Sequence, residues 1–414
     1  METYTLDNGL RVVVDHRPGQ VVYCGLAVGA GTRHQADTES GMAHFVEHMS
    51  FKGTERRRAW HILNRMEAVG GELNAYTGKE HTVYYCSCLR QHLRRALDLL
   101  FDITLHSTYP QQELEREVEV VIDEIESYND SPSELIYDDF EALLFEGHPL
   151  GRNILGDADR LRQYRSEDLH RFTRRLYRPD RMVLFVLGDV RMTDVIGGKG
   201  QEVRGKRNVL DSRNDSQEKN ASSYLLPPTS YLPTVKYIDK HTHQAHVIVG
   251  CRAYAMGDPR HVGLYLLNNL LGGPGMNSRL NLSLRERRGL VYTVESSLTA
   301  YTDTGLWTTY FGCDHKDVER CRRLVGRELQ RLLDAPLSPA ALKAAKQQLC
   351  GQLALAWENG ENVAIGMGRR LLHLGATQTL QQLCETVEAL TAPHLWDIAQ
   401  EVFAPQHLQT LIYK

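Results

Sequence analysis

His44-Phe45-Val46-Glu47-His48 is the stretch on which the reading of this chain turns. Two histidines one helical turn apart project from the same face of a helix. Imidazole nitrogens presented in this way can grip a single metal ion. Glu47 stands between them, close enough to reach a metal-bound water without being a ligand itself. Read alone, the five residues also fit polar positions on a half-buried helix. The flanks support a helix: Ser40 is a candidate N-cap, and Lys52-Gly53-Thr54 closes the segment.

Upstream, residues 3–14 alternate around Asn8-Gly9, a hairpin signal, and Val21 to Val28 reads as a further strand. Downstream, an amphipathic helix covers about 60–69 and stops at Gly70-Gly71. Glu72 to Thr77 follows, then a strand at 81–89 and helices at about 91–106 and 111–128. The last of these is crowded with carboxylates, as a solvated charged face would be. Glu117 and Glu124, however, lie two turns apart on one face, beside Val120 and Val121, which read as buried. A carboxylate on a buried face needs a cation or a partner.

Composition narrows the classes. The 414 residues are too many for a single core. With 42% hydrophobic and 24% charged residues and a net charge of −4, nothing points to nucleic acid or an anionic membrane as partner. No apolar run approaches the ~20 residues that span a bilayer. The N-terminus has neither the basic start nor the apolar core of a secretory signal, so the expected location is cytoplasmic. The eight cysteines are scattered and show no zinc-finger spacing, which fits reduced thiols. Cys86 and Cys88 alone are close, on one face of a strand.

The box at 44–48, the following Met49-Ser50-Phe51-Lys52-Gly53-Thr54, and the acidic helix around Glu124 together resemble the pitrilysin family. These are inverzincin metallopeptidases, whose motif is H-x-x-E-H. Gly70-Gly71-Glu72-Leu73-Asn74-Ala75-Tyr76-Thr77, with Glu80 and Tyr84-Tyr85 after it, is similar to the next block of that family. The resemblance covers nearly the whole chain. It implies one zinc per chain, bound by His44, His48 and Glu124. It makes Glu47 the general base for the zinc-bound water and places Glu117 behind the ligands as support. Asn74 and Ala75 would lie on an edge strand that docks an extended peptide.

The second half repeats the first in weakened form: a strand at 244–251, a helix at about 259–271 without the box, and helices at about 315–333 and 338–358. Residues 271–280 and 284–292 resemble blocks of the family's non-zinc domain. Arg285 and Tyr292 match its substrate-gripping pair, although Arg285 by spacing alone is an ordinary surface charge. The fold implied is α+β. Two homologous domains, 1–190 and 235–414, would each be a largely antiparallel sheet with helices on one face, joined by a linker at 191–234. The chain would form half of a clamshell, because the longer relatives carry four such domains. The expectation is a zinc endopeptidase for short or unfolded peptides inside a closed chamber. Two chains would pair as a homodimer, with Arg285 and Tyr292 of one completing the site of the other. The alternative is a non-catalytic or partner-dependent scaffold subunit of the same family.

Overall fold

A computed structural model describes residues 1–197, 206–208 and 234–414. Most of the expected linker at 191–234 therefore lies outside the described residues. What is described there is a single helical turn, Met192–Ile196, which ends at Gly197, and a short strand. The chain forms two compact units that are not contiguous in sequence. Unit 1 is Met1–Glu126, His148–Ser216 and Trp357–Thr379; unit 2 is Ser127–Gly147, Gln217–Ala356 and Leu380–Lys414.

Unit 1 is built on the strands β1 (Glu2–Thr5), β2 (Arg11–His16), β3 (Val21–Val28), β4 (Glu72–Thr77), β5 (Thr82–Leu89), β6 (Met182–Gly188) and β7 (Lys206–Asn208). They lie in the order β4-β5-β3-β6-β2-β1-β7. Only β2 and β6 run parallel. Unit 2 is built on β8 (Thr234–Ile238), β9 (Ala245–Ala253), β10 (Val291–Ala300), β11 (Gly305–Cys313) and β12 (Gln409–Tyr413), in the order β10-β11-β9-β12-β8. Again one pair, β12 with β8, is parallel. The second sheet thus repeats the first five positions of the first, strand for strand. This is the duplication that the weakened sequence repeat implies.

On one face of the first sheet pack the helices α1 (Met42–Met49), α2 (Ala59–Glu67), α3 (Leu93–Leu105) and α4 (Gln111–Asn129). The α3 helix buries Leu93, Ala96, Leu97, Leu100 and Ile103, a stripe at helical spacing. The other side of the sheet is covered as well, by a single helix. There the helix Gly360–Leu374 buries Val363, Ala364, Met367 and Leu371 against Val13, Ala27, Val83, Val183, Phe185 and Leu187. The ring of Phe185 fits a slot that a side chain would close: a Cβ on Gly25 or on Gly368 would come within 2.3 Å of it. In unit 2, α5 (Pro132–Leu144) covers the second sheet in the same manner, with Phe140 seated against Gly250. So the contiguous division at 1–190 and 235–414 does not describe the packing, because each sheet takes one covering helix from the opposite half of the sequence. The physical demand is visible in β6 and β11, which are buried at every position. Such strands need cover on both faces.

Candidate metal centre

The α1 helix is short and almost wholly sunk into unit 1. Met42, Ala43, Phe45, Val46 and Met49 pack into the core, and His44 and Glu47 are buried with them, each 8% exposed. Ser40 is not its cap. The cap position is Gly41 in a left-handed conformation (φ +76°), pressed against Leu155 and Gly156, where a side chain would collide with the Leu155 carbonyl. Chain geometry rather than a side-chain hydrogen bond starts this helix.

The α4 helix brings its carboxylates to α1. Glu124 Oε2 lies 3.8 Å from His44 Nε2 and 3.5 Å from His48 Nε2. One ligand atom from each of the three residues lies within 4.8 Å of the others, and no second such group occurs among the described residues. Glu117, the upstream carboxylate on that face, is buried. It accepts a hydrogen bond from His48 Nδ1 at 2.9 Å and an ion pair from Lys52 Nζ at 2.5 Å. With its Nδ1 proton held there, His48 keeps a lone pair on Nε2, facing Glu124. Of the two valines expected beside these carboxylates, Val121 is buried but Val120 is 51% exposed.

Charge follows the packing. Burial pushes the His44 imidazole down to about 3, and the neighbouring His48 adds to the shift. His44 Nδ1 is buried without a hydrogen-bond partner. Burial would also lower His48, but the bond to Glu117 and the charges of Glu47, Glu117 and Glu124 outweigh it and raise its pKa. Burial opposes ionisation of Glu117 too, yet the hydrogen bonds from His48 and Lys52 prevail and hold it below the ordinary carboxylate range. Burial raises Glu47; the Thr77 hydrogen bond and His48 offset part of the rise.

Thr77 joins the candidate site, and no sequence motif marks it. Its Oγ1 donates to Glu47 Oε2 at 2.5 Å. It sits at the end of β4, the edge strand of its sheet, which also carries Asn74 and Ala75. The proximity of Thr77 to Glu47 depends on how β4 lies against α1, a contact that no local pattern encodes. Lys52 follows the box in sequence, but its pairing with Glu117, 65 residues on, has no local signature.

Arg285 and Tyr292 belong to unit 2. Arg285 lies in a helical turn, Asn281–Glu286, and lines a cavity of about 450 Å³ with Asn268, Asn269 and Glu295 beside the edge strand β10. Tyr292, on β10, is 82% exposed. The three cysteines Cys24, Cys86 and Cys88 share the buried core of unit 1 as free thiols.

The donor set fits zinc: two imidazoles and one carboxylate from two helices, with one imidazole oriented from behind by a second carboxylate. Comparison with known proteins agrees. Residues 11–158 match the model for insulinase (peptidase family M16), and residues 164–349 match that for the peptidase M16 inactive domain. The chain is 32% identical over 417 residues to a Bacillus subtilis protein named uncharacterized zinc protease YmxG, covering 100% of this chain and 98% of that one. An uncharacterized zinc protease of Mycobacterium tuberculosis is 32% identical over 409 residues, covering 97% of this chain and 91% of the relative. In fold, the chain is similar to the crystal structure of a protease from Helicobacter pylori (TM-score 0.86, 22% identity, 100% and 99% coverage). It is also similar to a peptidase M16 inactive domain from Pseudomonas fluorescens (TM-score 0.85, 18% identity, 100% and 97% coverage).

Proposed function

Because the chain belongs to the insulinase family of peptidases, M16, we propose that it is a zinc endopeptidase that hydrolyses short or unfolded peptides. His44, His48 and Glu124 hold the metal and Glu47 is the general base. The observation that carries this reading is the convergence of those three donors beside a buried glutamate. Zinc bound there supplies a Lewis acid that polarises a peptide carbonyl and acidifies water.

The chain's own residues supply the rest. Glu117 fixes the His48 tautomer, and Lys52 keeps Glu117 ionised for that task. Thr77 ties one oxygen of Glu47, so the other is left to take the proton from water and pass it to the leaving amine. The open edge of β4 offers main-chain groups at Asn74 and Ala75 to an extended peptide. Docking of that kind reads backbone, so broad sequence tolerance is expected. Arg285 and Tyr292 donate hydrogen bonds to the substrate backbone or to the developing oxyanion. They are supplied by a second copy of the chain, which closes the chamber. An intact donor set weighs against a purely structural subunit.

Two substitutions test the assignment by zinc analysis and cleavage of a quenched peptide. Glu47→Gln should keep its zinc and lose activity by the ~10²–10⁴ that a general base contributes. Glu124→Gln should lose zinc affinity itself. Near wild-type turnover in zinc-loaded Glu47→Gln protein, or unchanged zinc affinity in Glu124→Gln, sinks the corresponding role.

A further inference from the structure

We propose that unit 2 carries a second binding site, for a phosphate-class oxyanion, in the cavity between the Asn281–Glu286 turn and the helix Val318–Asp334. The cavity measures about 310 Å³ and is lined by Arg279, Leu282, Ser283, Arg287, Glu328 and Arg331. That is near the lower end of small-ligand pockets, roughly 300–1,000 Å³.

The charges in this cavity do not balance. Three guanidinium groups face one carboxylate. Glu328, almost fully buried, is already committed: Arg331 Nη1 donates to its two oxygens at 2.8 and 2.9 Å. Arg279 and Arg287 are left over. Among the described residues neither guanidinium makes a hydrogen bond or an ion pair. Arg279 is the more telling. Burial is the largest influence on it and lowers its pKa, and the attraction of Glu328 is opposed by the cation of Arg331. Both guanidinium groups thus keep their donors for an acceptor from outside the chain. The hydroxyl of Ser283, which is 4% exposed, adds a neutral donor to the same wall.

The excess of two positive charges matches a doubly charged ligand. Guanidinium forks suit the oxygens of a tetrahedral oxyanion, which can accept from several directions at once. The cavity, open on one side, admits inorganic phosphate or the phosphoryl group of a small molecule, and its volume of about 310 Å³ is too small for a folded partner. The site is separate from the metal centre and from the cavity that Arg285 lines. Residues 278, 281 and 285 face the one cavity, and 279, 282, 283 and 287 the other. The turn that carries Arg285 is thus the wall between them.

Calorimetric titration of the zinc-loaded, dialysed protein with inorganic phosphate tests this, with chloride balancing the ionic strength. One saturable site per chain is expected. Affinity should fall at least about tenfold in Arg279→Gln and severalfold in Arg287→Gln, and should be unchanged in Arg94→Gln, an exposed arginine of unit 1. Arg287 is exposed, so its substitution still decides the question if Arg279→Gln fails to fold. A parallel titration with glycerol phosphate separates the two sources: comparable binding points to a phosphoryl group on a small molecule, and binding of phosphate alone to the free ion. No heat beyond the chloride control overturns the proposal. So does equal affinity in wild type and Arg287→Gln, which would place the phosphate outside this cavity.

Discussion

At the scale of single residues, the candidate metal centre is a set of side chains held from behind. His48 leans on Glu117, Glu117 on Lys52, and Glu47 on Thr77. His44 alone has no such partner, since its Nδ1 is buried and unbonded. Thr77 offers the sharpest test of this arrangement. Its hydroxyl makes the one hydrogen bond that the Glu47 carboxylate receives among the described residues. Valine has nearly the same shape and cannot donate. A hydrogen bond to a charged group is worth ~1.5–3 kcal/mol, which corresponds to roughly ten- to a hundredfold in rate if it is realised at the transition state. Thr77→Val should therefore lower kcat by about that factor, with KM and zinc content unchanged, and Thr77→Ser should restore it. A zinc-loaded Thr77→Val enzyme with wild-type kcat would remove Thr77 from the machinery.

At the scale of elements, the helix Gly360–Leu374 shows where local reading stops. The strands at the hairpin, the helix bearing the box and the acidic α4 are written in short-range periodicity and turn residues, and the sequence places each within a few positions. The pairing of Gly360–Leu374 with a sheet that begins more than three hundred residues earlier is a long-range contact with no local code. Its trace in the sequence is indirect: Met182-Val183-Leu184-Phe185-Val186-Leu187-Gly188 has no polar alternation, as a strand covered on both faces requires. The helix also brings His373 against His81, with a 3.0 Å hydrogen bond between Nε2 and Nδ1. Burial, then Arg369 and Arg11, pushes His373 down to about 4. Burial, then Arg181, does the same to His34, with Glu80 opposing and Arg33 and His373 adding to the shift. Burial, then Arg369, His373 and His34, carries His81 well below its ordinary value. Groups depressed on folding stabilise the native state fully above the unfolded pKa of about 6.5, and lose that stabilisation as pH falls through the folded values. The thermal midpoint should thus decline between about pH 6.5 and 4. His373→Gln should flatten the decline by about one proton per chain. An acid limb identical in wild type and His373→Gln would show that the cluster does not govern it.

For the whole molecule, one plan is used twice with different equipment. The first sheet carries the candidate metal donors on the helices over it, and an open edge at β4. The second repeats the strand order, opens its edge at β10, and carries Arg285 and Tyr292 there, with no group of metal donors among its described residues. Tyr292 is 82% exposed, and the nearest carboxylate to Arg285 is its own neighbour Glu286, at 4.0 Å. Side chains so placed are free to meet a substrate held elsewhere. If they complete the site of a second chain in a two-fold dimer, each dimer holds two composite sites. Glu47→Gln and Arg285→Ala proteins should then each be nearly inactive alone. Mixed in equal amounts and allowed to exchange subunits, half of the dimers are heterodimers. Each of these has one site with both Glu47 and Arg285 intact, so about a quarter of wild-type activity should return. A pair acting within its own chain predicts a different result, because every chain in the mixture is then defective by itself. Mass spectrometry can establish that exchange has occurred. Exchange without recovery of activity excludes the shared site and assigns Arg285 to its own chain or to no catalytic task.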